Sequence, residues 1–208
     1  MISALLIVSA YLLGAVPFGL LVARARGVDI RTVGSKNIGA TNVFRSIGKP
    51  WGVLTFLLDA LKGFAPAFLF PMIGKCACTN FQPLENLGLW CGAAAIIGHN
   101  FPVYLRFRGG KGVATSAGVL LGIAPLAVAI GLAVWAVIFF TTRYVSVASI
   151  CGALAVPLVG WLFYLRKGIV LPVVLTLLAA LIIWRHRANI QRLIAGTEHR
   201  FTKKGSAS

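Results

Sequence analysis

From Val113 to Thr142 the chain runs for about 30 residues without a charged side chain, longer than the ~20 apolar residues that carry a helix across a bilayer. Shorter, mostly apolar runs, two of them holding Asp59 and Lys62 or Glu85, cover Ile2 to Ala23, Trp51 to Ile73, Leu84 to Phe101, Tyr144 to Leu165 and Ile169 to Trp184. Of the 208 residues, 59% are hydrophobic and 12% are charged, where a soluble domain carries about 25% charge. The chain therefore reads as an all-α integral membrane protein with no room for a soluble domain. Ile2 opens the first run with no basic segment before it, so a cleavable signal is not expected.

The long run decides the topology. As one helix it gives six spans and places the two largest basic segments on opposite sides. Broken at GIAP (122–125), where Pro125 disfavours continuation, it gives seven. Arg24 to Pro50, the FRGGKG loop, Arg143 and the tail from Arg185 then share one side and hold 16 of the 20 Lys and Arg. Positive-inside asymmetry selects the second arrangement. Seven transmembrane helices are expected, some short or broken, with the N-terminus outside and the C-terminus cytoplasmic. Short helices at membrane depth are tolerated where they line a polar cavity. GAVPFG (14–19) is expected to kink the first span. Residues 1–201 read as one transmembrane domain and 202–208 as a flexible tail.

Against 20 Lys and Arg stand four carboxylates, Asp29, Asp59, Glu85 and Glu198. Positive-inside topology and anionic lipid explain part of that excess. Nucleic acid does not, because the basic residues lie in short loops between spans. Cys91 and Cys151 fall in spans as packing residues, and the four cysteines form no metal pattern. Cys76 and Cys78 share a loop and are open to oxidation if it faces outward.

Three polar clusters fall on the basic side. The first, GSKNIGATNVFRSIGK (34–49), mixes Ser35, Lys36, Asn37, Gly39, Thr41, Asn42 and Arg45. Glycines let backbone N–H groups converge on an anion, while hydroxyls, amides and cations add further donors. The second, GHNFPVYLRFRGGKGVAT (98–115), holds His99, Asn100, Gly109, Gly110, Lys111, Gly112 and Thr115. A helix starts straight after its lysine, so that the free N–H groups of its first turn face the loop, a seat for phosphate. The Walker spacing is absent, so ATP is not implied. The third, RHRANIQRLIAGTEHR (185–200), follows the last span. Its His186, Asn189 and Arg192 recur at i, i+3, i+6, Gly196 is expected to end the helix, and Glu198 to order neighbouring arginines. Asp59 and Lys62, at i, i+3 within a span, are expected to form a structural ion pair. Arg143, Ser146 and Ser149 are expected on one face at the start of the sixth span.

Taken together these segments resemble a known family. GAVPFG, GSKNIGATNVFR, DALKG (59–63), GHNFPVYLRFRGGKGVAT, RYVSVAS (143–149) and HRANIQRLIAGTE are similar to the bacterial acyl-phosphate:glycerol-3-phosphate acyltransferases, the PlsY-type membrane family. Lys36 and Ile38 stand where its members often carry glycine and proline. The resemblance implies transfer of a fatty acyl group from acyl phosphate to the sn-1 hydroxyl of glycerol 3-phosphate, the first acylation of bacterial phospholipid synthesis. It implies lysophosphatidic acid and inorganic phosphate as products. It further implies the bacterial inner membrane with a cytoplasmic site, no metal or other cofactor, and no acyl-CoA or acyl-carrier protein; no HxxxxD motif is present.

Ser35, Arg45, Lys111 and His186 are the expected catalytic residues. The remaining residues of the clusters, with Arg143 and Ser149, are expected to bind substrate or phosphate, and Asp59, Lys62 and Glu198 to support them. The base stays open between the donor's own phosphate, His186 or His99, and a covalent acyl-Ser35 route. Two other classes, an organic-phosphate transporter and a non-catalytic binder of anionic lipid, suit the same charge. A transporter needs a site near the midplane, whereas these residues gather at one face.

Overall fold

Helix is the only regular structure among the described residues of the computed structural model, which are 1–77 and 85–201. Cys78, Leu84 at the expected start of the third span and the tail 202–208 lie outside them. The chain forms two compact units, one from Met1 to Pro125 and one from Leu126 onward.

In the first unit, α1 (Ile2–Ala15) and α2 (Phe18–Arg24) are separated at Val16 and Pro17. Proline has no N–H to continue the ladder, and Val16 turns extended at ψ 118°. A short α3 (Ala40–Ser46) precedes α4 (Lys49–Ala77), which continues through Pro66 and Pro71. Then come α5 (Leu87–Asn100) and α6 (Val113–Ile123).

The expected break in the long run is present: α6 stops at Ile123, and Pro125 opens α7 (Pro125–Thr142). Proline drives the residue before it out of the helical region and suits a helix's first turn, and Ala124 sits at φ −145°, ψ 64°.

Small residues bring the backbones of α4 and α6 together. Gly63 faces the Thr115 carbonyl and Gly118 faces the Ala60 carbonyl, with no room for a β-carbon at either. Such close approach is how helices associate in lipid, where burying apolar surface yields little. Beneath the first polar cluster, Leu20, Ile30, Ile38 and Val43 form a buried apolar cluster, with Trp51 and Leu58 packed against it. Ile30 and Ile38 thereby tether both ends of a polar loop to α2 and α4.

The second unit contains α7, α8 (Val145–Val159), α9 (Val170–Arg185) and α10 (Arg187–Ile194). A π-helical turn, Gly160–Tyr164, follows Pro157. Gly131 and Gly152 face each other on α7 and α8, and Trp135 Nε1 donates to Ser149 Oγ at 3.2 Å. Arg143 departs from expectation: it precedes α8 with φ 66°, so it does not continue the helical face of Ser146 and Ser149. Its N–H donates to the Phe139 carbonyl at 2.8 Å as the left-handed cap of α7, and its carbonyl accepts the Phe201 N–H at 3.0 Å.

Among the described residues, four helical segments are long and apolar enough to cross a membrane: Ile2–Arg24, Lys49–Cys76, Pro125–Thr142 and Val145–Lys167. α9 with α10, bent by 52°, makes a fifth when the pair is counted as one broken span. Leu61, Phe140, Leu162 and Leu177 are among the large apolar side chains turned outward, as a lipid-facing surface requires.

Candidate active site

The first cluster is a loop wound around two amides. Asn42, buried on α3, donates through Nδ2 to the carbonyls of Ile30, Val33 and Asn37 at 3.2, 3.1 and 2.9 Å. Its Oδ1 accepts the Ser35 N–H at 3.0 Å. Asn37 Oδ1 accepts the Gly39 N–H at 2.8 Å. These bonds occupy Asn42 and Asn37 in shaping the loop, and they leave Ser35 and Lys36 exposed at its crest, Lys36 at φ 58°. Thr41 and Arg45 are half-buried on α3.

The second cluster begins where α5 ends. The chain leaves Asn100, makes a 3-10 turn over Val103–Leu105 and returns, so that the Gly110 N–H donates to the His99 carbonyl at 3.0 Å. Lys111 is half-buried, and Gly112 takes φ 82° to open α6, a conformation that suits glycine. Asn100 is fully buried beside Gly112, and both polar atoms of its amide lack a protein partner. The Thr115 hydroxyl, also fully buried, has none either. Tyr11 OH donates to the Phe101 carbonyl at 2.9 Å, a tie from α1 to this loop that the sequence did not reveal.

Behind this loop lies a buried charge cluster. Lys62 Nζ stands 2.8 Å from Asp59 Oδ1 and donates to the Val16 carbonyl at 2.7 Å. The proline break leaves that carbonyl outside the regular ladder, which is the one signal in the sequence for where a buried lysine would find an acceptor. His99 Nδ1 is 3.6 Å from the same Asp59 oxygen.

A surface cleft lined by Arg31, Tyr104, Leu105, Arg106 and Arg108 joins the loop after α2 to the turn after α5. Within this unit the first two basic segments thus meet at one cleft. Arg31, which sequence reasoning passed over, is held by Asp29 at 2.6 Å, and the guanidinium's hydrogen bonds keep the Asp29 carboxyl far below its ordinary range.

In the second unit, His186 sits at the junction of α9 and α10, 2% exposed. Its Nδ1 is 2.8 Å from the Ile182 carbonyl. A carbonyl only accepts, so Nδ1 bears the proton and Nε2 is the acceptor nitrogen of the neutral ring. Asn189 Nδ2 and Arg192 Nε donate to the two oxygens of Glu198 at 2.6 and 2.8 Å, so Asn189 and Arg192 share a face as their spacing implied. Burial alone would raise the Glu198 pKa, but the donors, led by Asn189 and including Arg192, hold it below the ordinary 4.5. Helix α10 ends at Ile194, with Gly196 left-handed at φ 69°. Ser149 is buried with its hydroxyl bonded to Trp135, and Arg143 lies over the Phe140 ring at 6.0 Å.

The chain as a whole is similar to known proteins. The family model for glycerol-3-phosphate acyltransferase matches residues 4–196. A glycerol-3-phosphate acyltransferase of Geotalea daltonii is 46% identical over 198 residues, 95% of this chain and 97% of the relative. One from Aquifex aeolicus is 44% identical over 198 residues, 94% and 97% of the two chains. Among solved structures, PlsY (YgiH), an integral membrane glycerol 3-phosphate acyltransferase in its glycerol 3-phosphate form, superposes with a TM-score of 0.84 at 42% identity, covering 96% of each chain. Its lysophosphatidic acid form gives 0.80 at 41% identity, over 96% of this chain and 95% of that one. With this fold, and with the glycine-rich lysine loop opening α6, the chain belongs to the glycerol-3-phosphate acyltransferase family.

Proposed function

We propose that this protein transfers a fatty acyl group from acyl phosphate to the sn-1 hydroxyl of glycerol 3-phosphate, releasing lysophosphatidic acid and inorganic phosphate. The observation that carries the reading is the loop 109–112. Lys111 lies between glycines at the start of α6, and Gly112 adjoins the buried, unpartnered amide of Asn100. A cation, backbone N–H groups and amide donors at a helix N-terminus suit a phosphate monoester. We assign this loop to glycerol 3-phosphate and the loop of Ser35 and Arg45 to the acyl phosphate.

The glycerol hydroxyl attacks the acyl carbonyl carbon. The new ester C–O bond forms, the carbonyl–phosphate C–O bond breaks, and the proton passes to the departing phosphate. The second ionisation of phosphate lies at about pKa 6 in monoesters, and the group becomes more basic as its bond to the carbonyl breaks, so it can take the proton at neutral pH. The donor is already activated, which leaves positioning and charge stabilisation to the protein. His186 is assigned to hold the phosphate or the developing oxyanion, donating from Nε2 when its ring is protonated, with Asn189 and Arg192 held in place by Glu198. Arg143, Ser149 and Thr115 are assigned to substrate or phosphate binding. No acyl-CoA, acyl-carrier protein or metal enters this scheme.

The two units serve one acyltransferase domain over 1–201, with seven spans in the bacterial inner membrane. α5 and α6 are the short members, the N-terminus is outside, and the site faces the cytoplasm, where the basic segments gather. The test is turnover by purified protein in detergent. Lysophosphatidic acid and phosphate are expected with acyl phosphate plus glycerol 3-phosphate, and no lysophosphatidic acid when acyl-CoA or acyl-carrier protein replaces the donor. Equal turnover with acyl-CoA would sink the donor assignment.

A further inference from the structure

Asp59 and His99 are 2% and 4% exposed, and the acyl transfer described above uses neither. The His99 ring is fixed at two ends. Its Nδ1 faces Asp59 Oδ1 at 3.6 Å, and its Nε2 occupies the space that a β-carbon on Gly110 would need. The His99 carbonyl accepts the Gly110 N–H at 3.0 Å, so backbone and ring grip the residue next to Lys111.

An imidazole turns broadly about its outer torsion, so packing and partners decide where its nitrogens point. Asp59 supplies that choice by standing opposite Nδ1. Asp59 is in turn held by Lys62, and Lys62 by the Val16 carbonyl. The result is a continuous line from the proline break of the first span, through α4, to the loop at the start of α6.

We propose that Asp59 is a positioning residue for the acyl transfer, acting through His99 to set the height and tilt of Gly110 and so to aim Lys111 at the phosphate of glycerol 3-phosphate. This rests on the assignment of loop 109–112 to that substrate. His99 then acts as a strut and not as the base, since one ring nitrogen faces Asp59 and the other abuts Gly110. Misplacing a binding group by about 1 Å costs on the order of 100-fold in rate, so a strut of this kind has a measurable effect.

The experiment is steady-state kinetics on the full chain in detergent, with both substrates varied and thermal midpoints recorded. Asp59→Asn combined with Lys62→Met removes both buried charges together and so avoids leaving one uncompensated. It is expected to raise KM for glycerol 3-phosphate by about tenfold or more and to leave KM for acyl phosphate within about twofold. A shift in thermal midpoint with KM for glycerol 3-phosphate unchanged would reduce Asp59 to a fold-stabilising role and overturn the proposal.

A cycle of His99→Ala, Gly110→Ala and the double variant tests the hold of the His99 ring on Gly110, the link on which the role of Asp59 depends, and it does not require the charge variant to fold. Gly110→Ala forces the ring aside, so its penalty in kcat/KM is expected to shrink at least about fivefold when His99 is already alanine. Additive penalties would overturn the proposal. Lys111→Ala separates the two levels of inference. If it leaves KM for glycerol 3-phosphate unchanged, the loop assignment fails and takes the proposal with it. If it raises that KM while the charge variant and the cycle show no effect, the positioning proposal alone fails.

Discussion

Lys62 donates from its Nζ to the carbonyl oxygen of Val16 at 2.7 Å, reaching from α4 to the proline break between α1 and α2. The same ammonium lies 2.8 Å from Asp59 Oδ1, with both side chains about 2% exposed. Lys62→Met alone leaves a buried carboxylate without its cation. The variant is expected to lose about 3 kcal/mol or more, and adding Asp59→Asn is expected to recover part of that. Thermal midpoints of the three proteins in one detergent check this, and a single variant as stable as wild type would refute it.

Gly118 faces the Ala60 carbonyl with no space for a β-carbon. Gly118→Ala therefore forces α4 and α6 apart, at a cost of about 1–3 kcal/mol. The check is the thermal midpoint beside Gly27→Ala, which meets nothing within 4 Å and whose cost comes from its left-handed backbone alone.

Asn42 makes three donor contacts to loop carbonyls and accepts the Ser35 N–H. Asn42→Asp keeps the acceptor and turns the donor end into an oxygen facing three carbonyl oxygens. Since Ser35 rides on this loop, kcat/KM is expected to fall about 100-fold, largely through acyl phosphate. Kinetics with each substrate varied tests the direction. A loss confined to glycerol 3-phosphate would reverse the assignment of the two loops.

Glu198 has its pKa lowered below 4.5 in the folded protein. A depressed carboxylate stabilises the fold fully above its unfolded value, and that contribution declines as pH falls from 4.5 through the folded pKa. Glu198→Gln is therefore expected to melt lower than wild type at pH 7. The gap should narrow as the buffer is taken below about pH 4. Melting curves across that range measure it, and a gap independent of pH would show that the charge of Glu198 contributes nothing.

His186 commits Nδ1 to the Ile182 carbonyl, so Nε2 is the nitrogen that accepts in the neutral ring and donates in the protonated one. If the donor phosphate takes the proton, His186→Gln lowers kcat/KM by roughly 10–100-fold and keeps the acidic limb of the pH–rate profile. Loss of several decades together with that limb would identify His186 as the base.

Several of these sites were legible in the chain before any coordinates. The 30-residue apolar run with Pro125 inside it could end only near Gly122–Pro125, because proline constrains its neighbour through local sterics. Gly196 marked the end of α10, and the spacing of Asn189 and Arg192 placed them on one face, since both follow from helical geometry over a few residues. Arg143 was misread because it caps the end of α7, its N–H donating to the Phe139 carbonyl at 2.8 Å with a left-handed backbone, and so stands outside α8.

The amino-acid sequence by itself determined that this chain is a helical membrane protein, where its helices break, and that its cations gather in glycine-rich loops. Those properties depend on hydropathy, charge and the stereochemistry of proline and glycine, all of which act between near neighbours. Only the tertiary structure decided which polar side chains shape the loops and which face outward. Asn42 winds its loop, Lys62 finds the Val16 carbonyl, and His99 braces Gly110, because a buried hydrogen-bonding group must be satisfied by whatever the fold brings beside it.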